Sequence, residues 1–324
     1  MPRAPAFWFR HDSWMASVLS PLSWIVAART AQRIAETGWR APVPVVCCGN
    51  LTVGGAGKTT LVLDIAQRLI ARGLAVHILL RGYGGSAKGT RRVQLTDAAS
   101  LVGDEALLLA AAAPTWVGAD RAASAQAAIR DGAAVLLMDD GLQNPTLRKD
   151  FSILTIDGAT GFGNGRVLPA GPLREPIAAG AARCQAAVMI GPDRTEANQR
   201  LSFYKLIFYA DLVQGPEIAA LAGKRVLAFA GIARPEKFFE PLSASGAEVV
   251  ATRPFPDHHA FTAKELKGLL DQAKALDAVL VTTPKDAVRL PPDIRAQVTV
   301  VGVSLRWHEE EEWEALLTRA VGGA

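Results

Sequence analysis

The chain has 324 residues, half of them hydrophobic and a fifth charged, with a net charge of +4. That is enough apolar sequence for two cored domains, which excludes a disordered chain. The mild positive balance, with no basic stripe interleaved with aromatics, argues against a nucleic-acid surface. The three cysteines, Cys47, Cys48 and Cys184, have no metal-ligand spacing and read as reduced core residues.

Residues 1–40 form a first segment. Phe7-Trp8-Phe9 opens it, and no charge occurs from Ser13 to Ala28. Pro21 interrupts the run, which falls short of the roughly 18 apolar residues of a membrane span. Its thin charged start and lack of a cleavage site do not suit a signal peptide. Trp14, Val18, Leu22 and Ile25 share one helical face, flanked by Arg3, Arg10, Arg29, Arg33 and Arg40. That is the composition of a helix lying in a membrane interface. It also suits an amphipathic helix packed on the protein's own core.

Residues 41–200 read as a nucleotide-binding unit. A β-branched run from Val43 to Cys48 leads into Thr52-Val53-Gly54-Gly55-Ala56-Gly57-Lys58-Thr59-Thr60, and a helical pattern from Leu61 to Ala71 leads out. Strand, glycine loop and helix in this order make a phosphate cradle. Backbone N–H groups converge on the anion, the helix start adds its positive end, Lys58 reaches the outer phosphates, and the Thr59 hydroxyl can ligate Mg²⁺. One departure is Thr52, where the general pattern has glycine.

A second strand, Ala75 to Leu80, ends in Arg81-Gly82-Tyr83-Gly84-Gly85, and a polar loop with Lys88, Arg91 and Arg92 follows. These cations could meet an anionic substrate or simply be solvated. Asp104 and Glu105 begin the next helix, where a carboxylate often caps. The run Ala133 to Met138 ends in Asp139-Asp140-Gly141, the expected second metal-binding element, with either Asp near the ion. Another strand, Phe151 to Ile156, precedes the turn-rich loop Gly161 to Pro176, which carries Arg174. Ala186 to Ile190 adds one more strand. The fold class is therefore α/β, a P-loop-type, mostly parallel sheet with helices on both faces.

Residues 201–215 read as an extended interdomain linker, and 216–324 as a smaller carboxyl-terminal α/β domain with a terminal helix. A turn is expected at Gly231-Ile232-Ala233-Arg234-Pro235 and a helix N-cap at Thr262. The loop Pro254 to Phe261 carries His258 and His259; with no third ligand pattern, His258 beside Asp257 suits an acid–base or orienting group better than a zinc site.

Taken in order, these motifs resemble the tetraacyldisaccharide 4'-kinase family, the lipid A 4'-kinases of Gram-negative bacteria. The resemblance runs through Leu19-Ser20-Pro21-Leu22-Ser23, Gly49-Asn50-Leu51-Thr52-Val53-Gly54-Gly55 with Gly57-Lys58-Thr59, and Arg81-Gly82-Tyr83-Gly84. It continues through Gly103-Asp104-Glu105, Asp139-Asp140-Gly141-Leu142-Gln143 and Leu168-Pro169-Ala170-Gly171-Pro172-Leu173-Arg174-Glu175, and ends with Phe255-Pro256-Asp257-His258 and Lys285-Asp286-Ala287-Val288. A hydroxyl residue at the Thr52 position is usual in that family. Asn144, Pro284 and Thr60 depart from it, and Asn144 stands where a histidine is common.

The resemblance implies transfer of the ATP γ-phosphate, with Mg²⁺, to the 4'-hydroxyl of a membrane-embedded tetraacylated disaccharide 1-phosphate. It implies Asp104 as the base, His258 as its partner, and Lys58 on the phosphates. Thr59 with Asp139 and Asp140 would serve the metal, and Arg81, Tyr83, Glu105 and Arg174 the substrate. The setting implied is the cytoplasmic face of the bacterial inner membrane, reached through the first helix. A partner-switching P-loop ATPase or GTPase, or a kinase for another glycolipid, shares parts of the pattern. The GTPase is disfavoured because Pro284-Lys285-Asp286 lacks guanine-selecting spacing, the ATPase because Val53 stands where such proteins carry lysine.

Overall fold

The structure is a computed structural model and describes residues 4–201, 206–232 and 235–322. Arg3, residues 202–205 of the expected linker, and Ala233 and Arg234 of the expected turn lie outside the described residues. The chain runs through α1 (Trp14–Ile34), β1 (Val45–Gly49), α2 (Lys58–Ala71), β2 (Val76–Leu80), β3 (Arg91–Arg92), α3 (Ala99–Val102), α4 (Asp104–Ala110) and β4 (Thr115–Val117). Then come α5 (Arg121–Arg130), β5 (Val135–Asp139), β6 (Phe151–Asp157), α6 (Ile177–Ala182), β7 (Ala186–Ile190) and β8 (Leu206–Gln214). Last are β9 (Arg225–Ala230), α7 (Glu236–Ala244), β10 (Glu248–Pro254), α8 (Ala263–Ala275), β11 (Val279–Thr282), α9 (Pro284–Ala287), α10 (Pro292–Arg295), β12 (Thr299–Val300), β13 (Val303–Trp307) and α11 (Glu310–Gly322).

Adjacent cysteines show how the larger sheet is built. Along β1 the side chains alternate, so Val46 and Cys48 enter the core on one face while Val45 and Cys47 enter the core on the other. A strand covered on both faces needs helices on both sides, and reads as a continuous apolar run. α2, α4 and α11 cover one face; α5, α6 and the loop before α6 cover the other. Among the described residues the sheet has nine strands, in the order β13-β8-β7-β6-β1-β5-β2-β4-β3. The strands from β8 to β4 are parallel, and β13 and β3 flank them antiparallel. The order reverses beside β1, and ligands bind open α/β sheets at such a point, outside the strands' carboxyl ends. The second sheet, β10-β9-β11-β12, is wholly parallel and carries α7 on one face and α8 on the other.

The expected domain borders run differently in the structure. The described part of the 201–215 segment is β8, which is hydrogen-bonded to β7 and so belongs to the large sheet. The last two strands lie in different sheets, since β12 pairs with β11 and β13 with β8. The terminal helix packs against the nucleotide-binding side, where Arg68 of α2 and Arg72 just after it pair with Glu314 of α11. The reason is apolar burial. Trp313 is fully covered, stacked on Trp307 at 4.0 Å and edge-on to Phe208 at 5.3 Å. The chain thus crosses to the smaller sheet and returns.

α1 is a helix capped by Ser13, as its pattern requires. The face it turns to the protein is the narrow one, through Ala16 and Ser23; the Ser23 hydroxyl donates to the Val167 carbonyl at 2.7 Å. Trp14, Val18, Leu22, Trp24 and Ile25, on the other side of the helix, are each more than half exposed. No helix among the described residues is long and apolar enough to cross a membrane.

Removing the Trp313 side chain should uncouple the returning helix. Trp313→Ala is expected to lower unfolding free energy by about 3–5 kcal/mol, read from urea melts. A loss below about 1 kcal/mol would mean that α11 lies outside the cooperative core.

Candidate active site

The glycine loop joins β1 to α2, as the sequence predicts. Gly57 has φ +78° and forms the N-cap of α2, and Gly54 has φ +117°. A Cβ added at Gly54 or Gly55 would meet no atom within 4 Å, so both backbones border open space that a phosphate group could fill. Thr52 is explained by its neighbours. It bridges antiparallel to Leu173, and its hydroxyl accepts from Asn50 Nδ2 at 3.2 Å. The turn-rich loop before α6 therefore clamps the phosphate loop, with Val53 N donating to Pro172 O at 2.8 Å and Arg174 N to Leu51 O at 2.7 Å.

That clamp brings Arg174 to Asp140. Its Nη1 lies 2.9 and 3.0 Å from the two carboxylate oxygens, while Lys58 Nζ lies 3.6 Å from Asp140 Oδ1. Burial would raise the Asp140 pKa, but Lys58 and Arg174 outweigh it and hold the carboxyl below its usual range. Asp139, one residue earlier at the end of β5, has the opposite environment. Oδ2 accepts from the Thr59 hydroxyl at 3.4 Å, and Oδ1 is buried with no partner among the described residues. Burial, with the Glu105 charge adding to it, pushes its pKa up to about 7. A buried carboxylate oxygen with no donor, beside a threonine hydroxyl at a phosphate loop, is a donor set that fits Mg²⁺.

Asp104 opens α4 but does not cap it; Gly103 is the N-cap, and no side-chain capping bond forms. Gly103 has φ +92°, and a Cβ there would come within 2.5 Å of Tyr83 O, so the Arg81–Gly85 turn is pressed against the start of α4. The Asp104 side chain instead meets the smaller domain. Its Oδ2 lies 2.7 Å from His258 Nδ1, 2.8 Å from Arg289 Nε and 2.6 Å from Arg289 Nη2. Oδ1 has no hydrogen-bond partner among the described residues. Burial would raise the Asp104 pKa; the His258 hydrogen bond and then Arg289 overcome it, leaving it below the usual carboxylate range and hence ionised.

His258 sits in a left-handed conformation, φ +59°, with its N–H on Gly231 O at 3.2 Å. Its Nε2 lies 3.4 Å from Lys285 Nζ. His259 does different work, binding both Glu265 oxygens at 3.1 Å and stacking on Phe255, which fixes the loop to the capped start of α8. No cluster of three or more metal-ligating side chains occurs among the described residues; the Asp139 and Thr59 pair is smaller than that.

Of the remaining expected residues, Glu105 lies close enough to Asp139 for its charge to be felt, whereas Arg81 and Tyr83 are exposed at the end of β2. Arg91 and Arg92 are paired away from the site with Asp97 and Asp131. Asn144 binds Ala119 O and Thr146, a turn-holding role. The sequence reading missed Arg289, whose only signal is its place after the Lys285-Asp286-Ala287-Val288 motif. It also missed Glu175 and Gln143 as a pair: Glu175 is buried and accepts from Gln143 Nε2 at 2.8 Å and from Arg183, steadying the Arg174 loop.

Residues 15–322 match the family model described as tetraacyldisaccharide-1-P 4'-kinase. Over 316 residues, 97% of each chain, the sequence is 55% identical to the tetraacyldisaccharide 4'-kinase of Gluconacetobacter diazotrophicus. It is 52% identical to that of Rhodospirillum centenum over 328 residues, 99% of this chain and 97% of the other. The fold is similar to the crystal structure of LpxK from Aquifex aeolicus in complex with ATP, with a TM-score of 0.74 and 27% identity, covering 95% of this chain and 99% of that one.

A carboxyl group whose folded-state pKa exceeds its unfolded value holds its proton more tightly when folded. The stability Asp139 contributes is thus full below the unfolded pKa of about 4 and is lost as pH rises towards its folded value. In chelator, Asp139→Asn should melt a few degrees above wild type at about pH 8, the gap narrowing towards about pH 5. The variant should also lose the Mg²⁺-dependent rise in Tm. A variant that melts below wild type at the higher pH would show that the charged carboxylate is satisfied without a cation.

Proposed function

The chain belongs to the tetraacyldisaccharide-1-P 4'-kinase family, and on that premise we propose that it transfers the γ-phosphate of ATP to the 4'-hydroxyl of a tetraacylated disaccharide 1-phosphate in lipid A biosynthesis. The observation that carries the proposal is the meeting of Asp104 and His258 across two domains, on the same edge of the large sheet as an open phosphate loop.

A sugar hydroxyl is a poor nucleophile and gains from a base that takes its proton as the bond to phosphorus forms. Asp104 is that base in this reading. It is ionised, and Oδ1 is left free to accept while Oδ2 is occupied. His258 orients the carboxylate and disperses its charge. The backbone N–H groups of the glycine loop and the start of α2 hold the phosphates, and Lys58 draws charge from the outer ones. Arg174 fixes Asp140 beside Lys58, so that the lysine is aimed rather than free. Thr59 and Asp139 would hold Mg²⁺, which when bound neutralises charge on the β- and γ-phosphates. Arg81, Tyr83 and Glu105 border the turn where the acceptor would lie, and the interdomain cleft excludes water once closed.

The acceptor's acyl chains remain in a bilayer, so the protein must work at its surface. α1 supports this, since its exposed face carries Trp14, Val18, Leu22, Trp24 and Ile25, with Arg10, Arg29, Arg33 and Arg40 exposed nearby. Full burial of an aliphatic side chain is worth about 1.5–3 kcal/mol, and each arginine near an anionic surface adds about 1 kcal/mol. The far end of α1 reaches the site, with Arg33 Nη2 3.4 Å from Gln143 O in the loop after Asp139-Asp140. A helix lying in the cytoplasmic leaflet of the inner membrane would hold the catalytic cleft at headgroup height.

The direct test is mass spectrometry of the glycolipid after incubation with the protein and Mg-ATP. One added phosphate, absent with Asp104→Asn, is expected; the variant should lose about 10²–10⁴-fold in kcat while its ATP affinity stays within twofold. ATP hydrolysis without a phosphorylated lipid would return the chain to the ATPase reading. Replacing Trp14, Val18 and Ile25 with serine should weaken co-sedimentation with anionic vesicles by about tenfold or more and leave ATP binding unchanged. Undiminished vesicle binding would remove α1 from the membrane surface.

A further inference from the structure

Arg289 is nearly buried, its side chain 5% exposed, and it sits between two carboxylates of different domains. Nε and Nη2 both approach Asp104 Oδ2, at 2.8 and 2.6 Å, whereas Nη1 lies 3.0 Å from Asp286 Oδ1 and 3.3 Å from Gly231 O. This is an unusual use of the guanidinium fork. An arginine facing a carboxylate commonly takes one oxygen with each nitrogen; here one edge converges on a single oxygen. His258 Nδ1 takes the same oxygen, so two hydrogen bonds, from His258 Nδ1 and Arg289 Nε, hold Oδ2 while Nη2 lies close without bonding it, and Oδ1 has no hydrogen-bond partner among the described residues.

Asp286 is itself fixed. It is fully buried, accepts from the Thr283 hydroxyl at 2.6 Å and from Gly231 N at 3.0 Å, and opens no path to solvent. Gly231 O in turn receives the His258 N–H. One arginine therefore joins the three pieces that meet at the cleft: the start of α4, the turn after β9 that holds the His258 loop, and α9.

We propose that Arg289 is a positioning residue for phosphoryl transfer, holding Asp104 Oδ2 jointly with His258 so that Oδ1 is turned to the acceptor hydroxyl, and tying that orientation to docking of the carboxyl-terminal domain. The inference rests on the reading of Asp104 as the base. A carboxylate at a helix start with one partner can rotate; a carboxylate with one oxygen held from two sides cannot. A misplacement of about 1 Å can cost about 10²-fold in rate. The titratable and charged groups facing Asp104 are His258 and Arg289, with Glu105 beside it on α4 and Lys285 and Asp286 behind. Losing the guanidinium leaves burial less opposed, so the carboxyl holds its proton to higher pH.

The test compares Arg289→Ala, Arg289→Lys, Asp104→Asn and the Asp104→Asn/Arg289→Ala double variant, each with kcat, KM for ATP and acceptor, a pH profile and a melt. Arg289→Ala should lower kcat by about 10²-fold, leave KM for ATP within twofold, and move the acid limb of kcat up by about one unit. Arg289→Lys keeps the charge but cannot span Asp104 and Asp286, so its kcat should fall between the two while its acid limb stays near wild type. In the Asp104→Asn background, Arg289→Ala should change the residual rate by less than about threefold, because its effect passes through that carboxylate.

Losses that multiply in the double variant, or an unmoved acid limb in Arg289→Ala, overturn the proposal. If Arg289→Ala does not fold, Arg289→Lys decides: wild-type kcat in that folded variant counts against positioning by the fork. If Asp104→Asn itself keeps full activity, the proposed base is wrong; if it is inactive while Arg289→Ala is normal, only the role of Arg289 fails.

Discussion

One carboxylate oxygen carries the ion pairs between the start of α4 and the carboxyl-terminal domain. Asp104 belongs to the large sheet by sequence and packing, yet every partner of its side chain comes from the carboxyl-terminal domain: His258 from the loop after β10, Arg289 from just beyond α9. Burying a carboxylate is costly unless charge and hydrogen bonds answer it. Here they do, and the acid stays ionised in spite of its burial. The consequence is that the proposed base and the geometry of domain docking are one feature. Separating the lobes would strip Asp104 of all its partners, while bringing them together arms one oxygen and occupies the other.

A second division of labour separates the adjacent residues Asp139 and Asp140. The difference lies in what reaches each. Lys58 and Arg174 converge on Asp140, the latter delivered by a loop that is backbone-paired to the phosphate loop itself. Among the described residues Asp139 gets only the Thr59 hydroxyl and keeps a buried oxygen with no donor. One carboxylate thus fixes the cation side chains, and the other keeps coordinating capacity. Charge is partitioned by position at the strand end: Asp139 still follows the β5 alternation, whereas Asp140, at φ +54°, has turned out of it.

The amino-terminal helix obeys a similar economy of faces. Its small residues meet the protein, where Ala16 and Ser23 let the backbone approach the loop at Val167, and Trp14, Val18, Leu22, Trp24 and Ile25 are turned outward. A helix serving only its own core would do the reverse, because large apolar side chains gain most from burial. The exposed tryptophans and flanking arginines support the proposed bilayer contact, and the contact of Arg33 with the loop after Asp139-Asp140 would couple that surface to the site.

Local chemistry made much of this legible in the sequence. The phosphate loop, the helix after it, the acidic end of β5 and the cap at Thr262 are each specified by neighbours within a few residues, so spacing alone identifies them. Asp104 and His258 are paired in the sequence only through the family resemblance; their spacing says nothing of it, because 154 positions separate them along the chain, and the 2.7 Å contact is made by the fold. Likewise, the run from Leu206 shows its extended character but not which sheet it joins, and the acidic start of α11 suits a helix dipole without saying that Trp313 will seal it to β8 and β13. Arg289 has no local signature beyond its place after the Lys285-Asp286-Ala287-Val288 motif. Its role exists only once folding brings α4, the turn after β9 and α9 to one point. Sequence patterns record a residue's nearest neighbours along the chain, whereas ion pairs, strand order and the choice between two adjacent carboxylates are decided by groups that only tertiary packing makes neighbours.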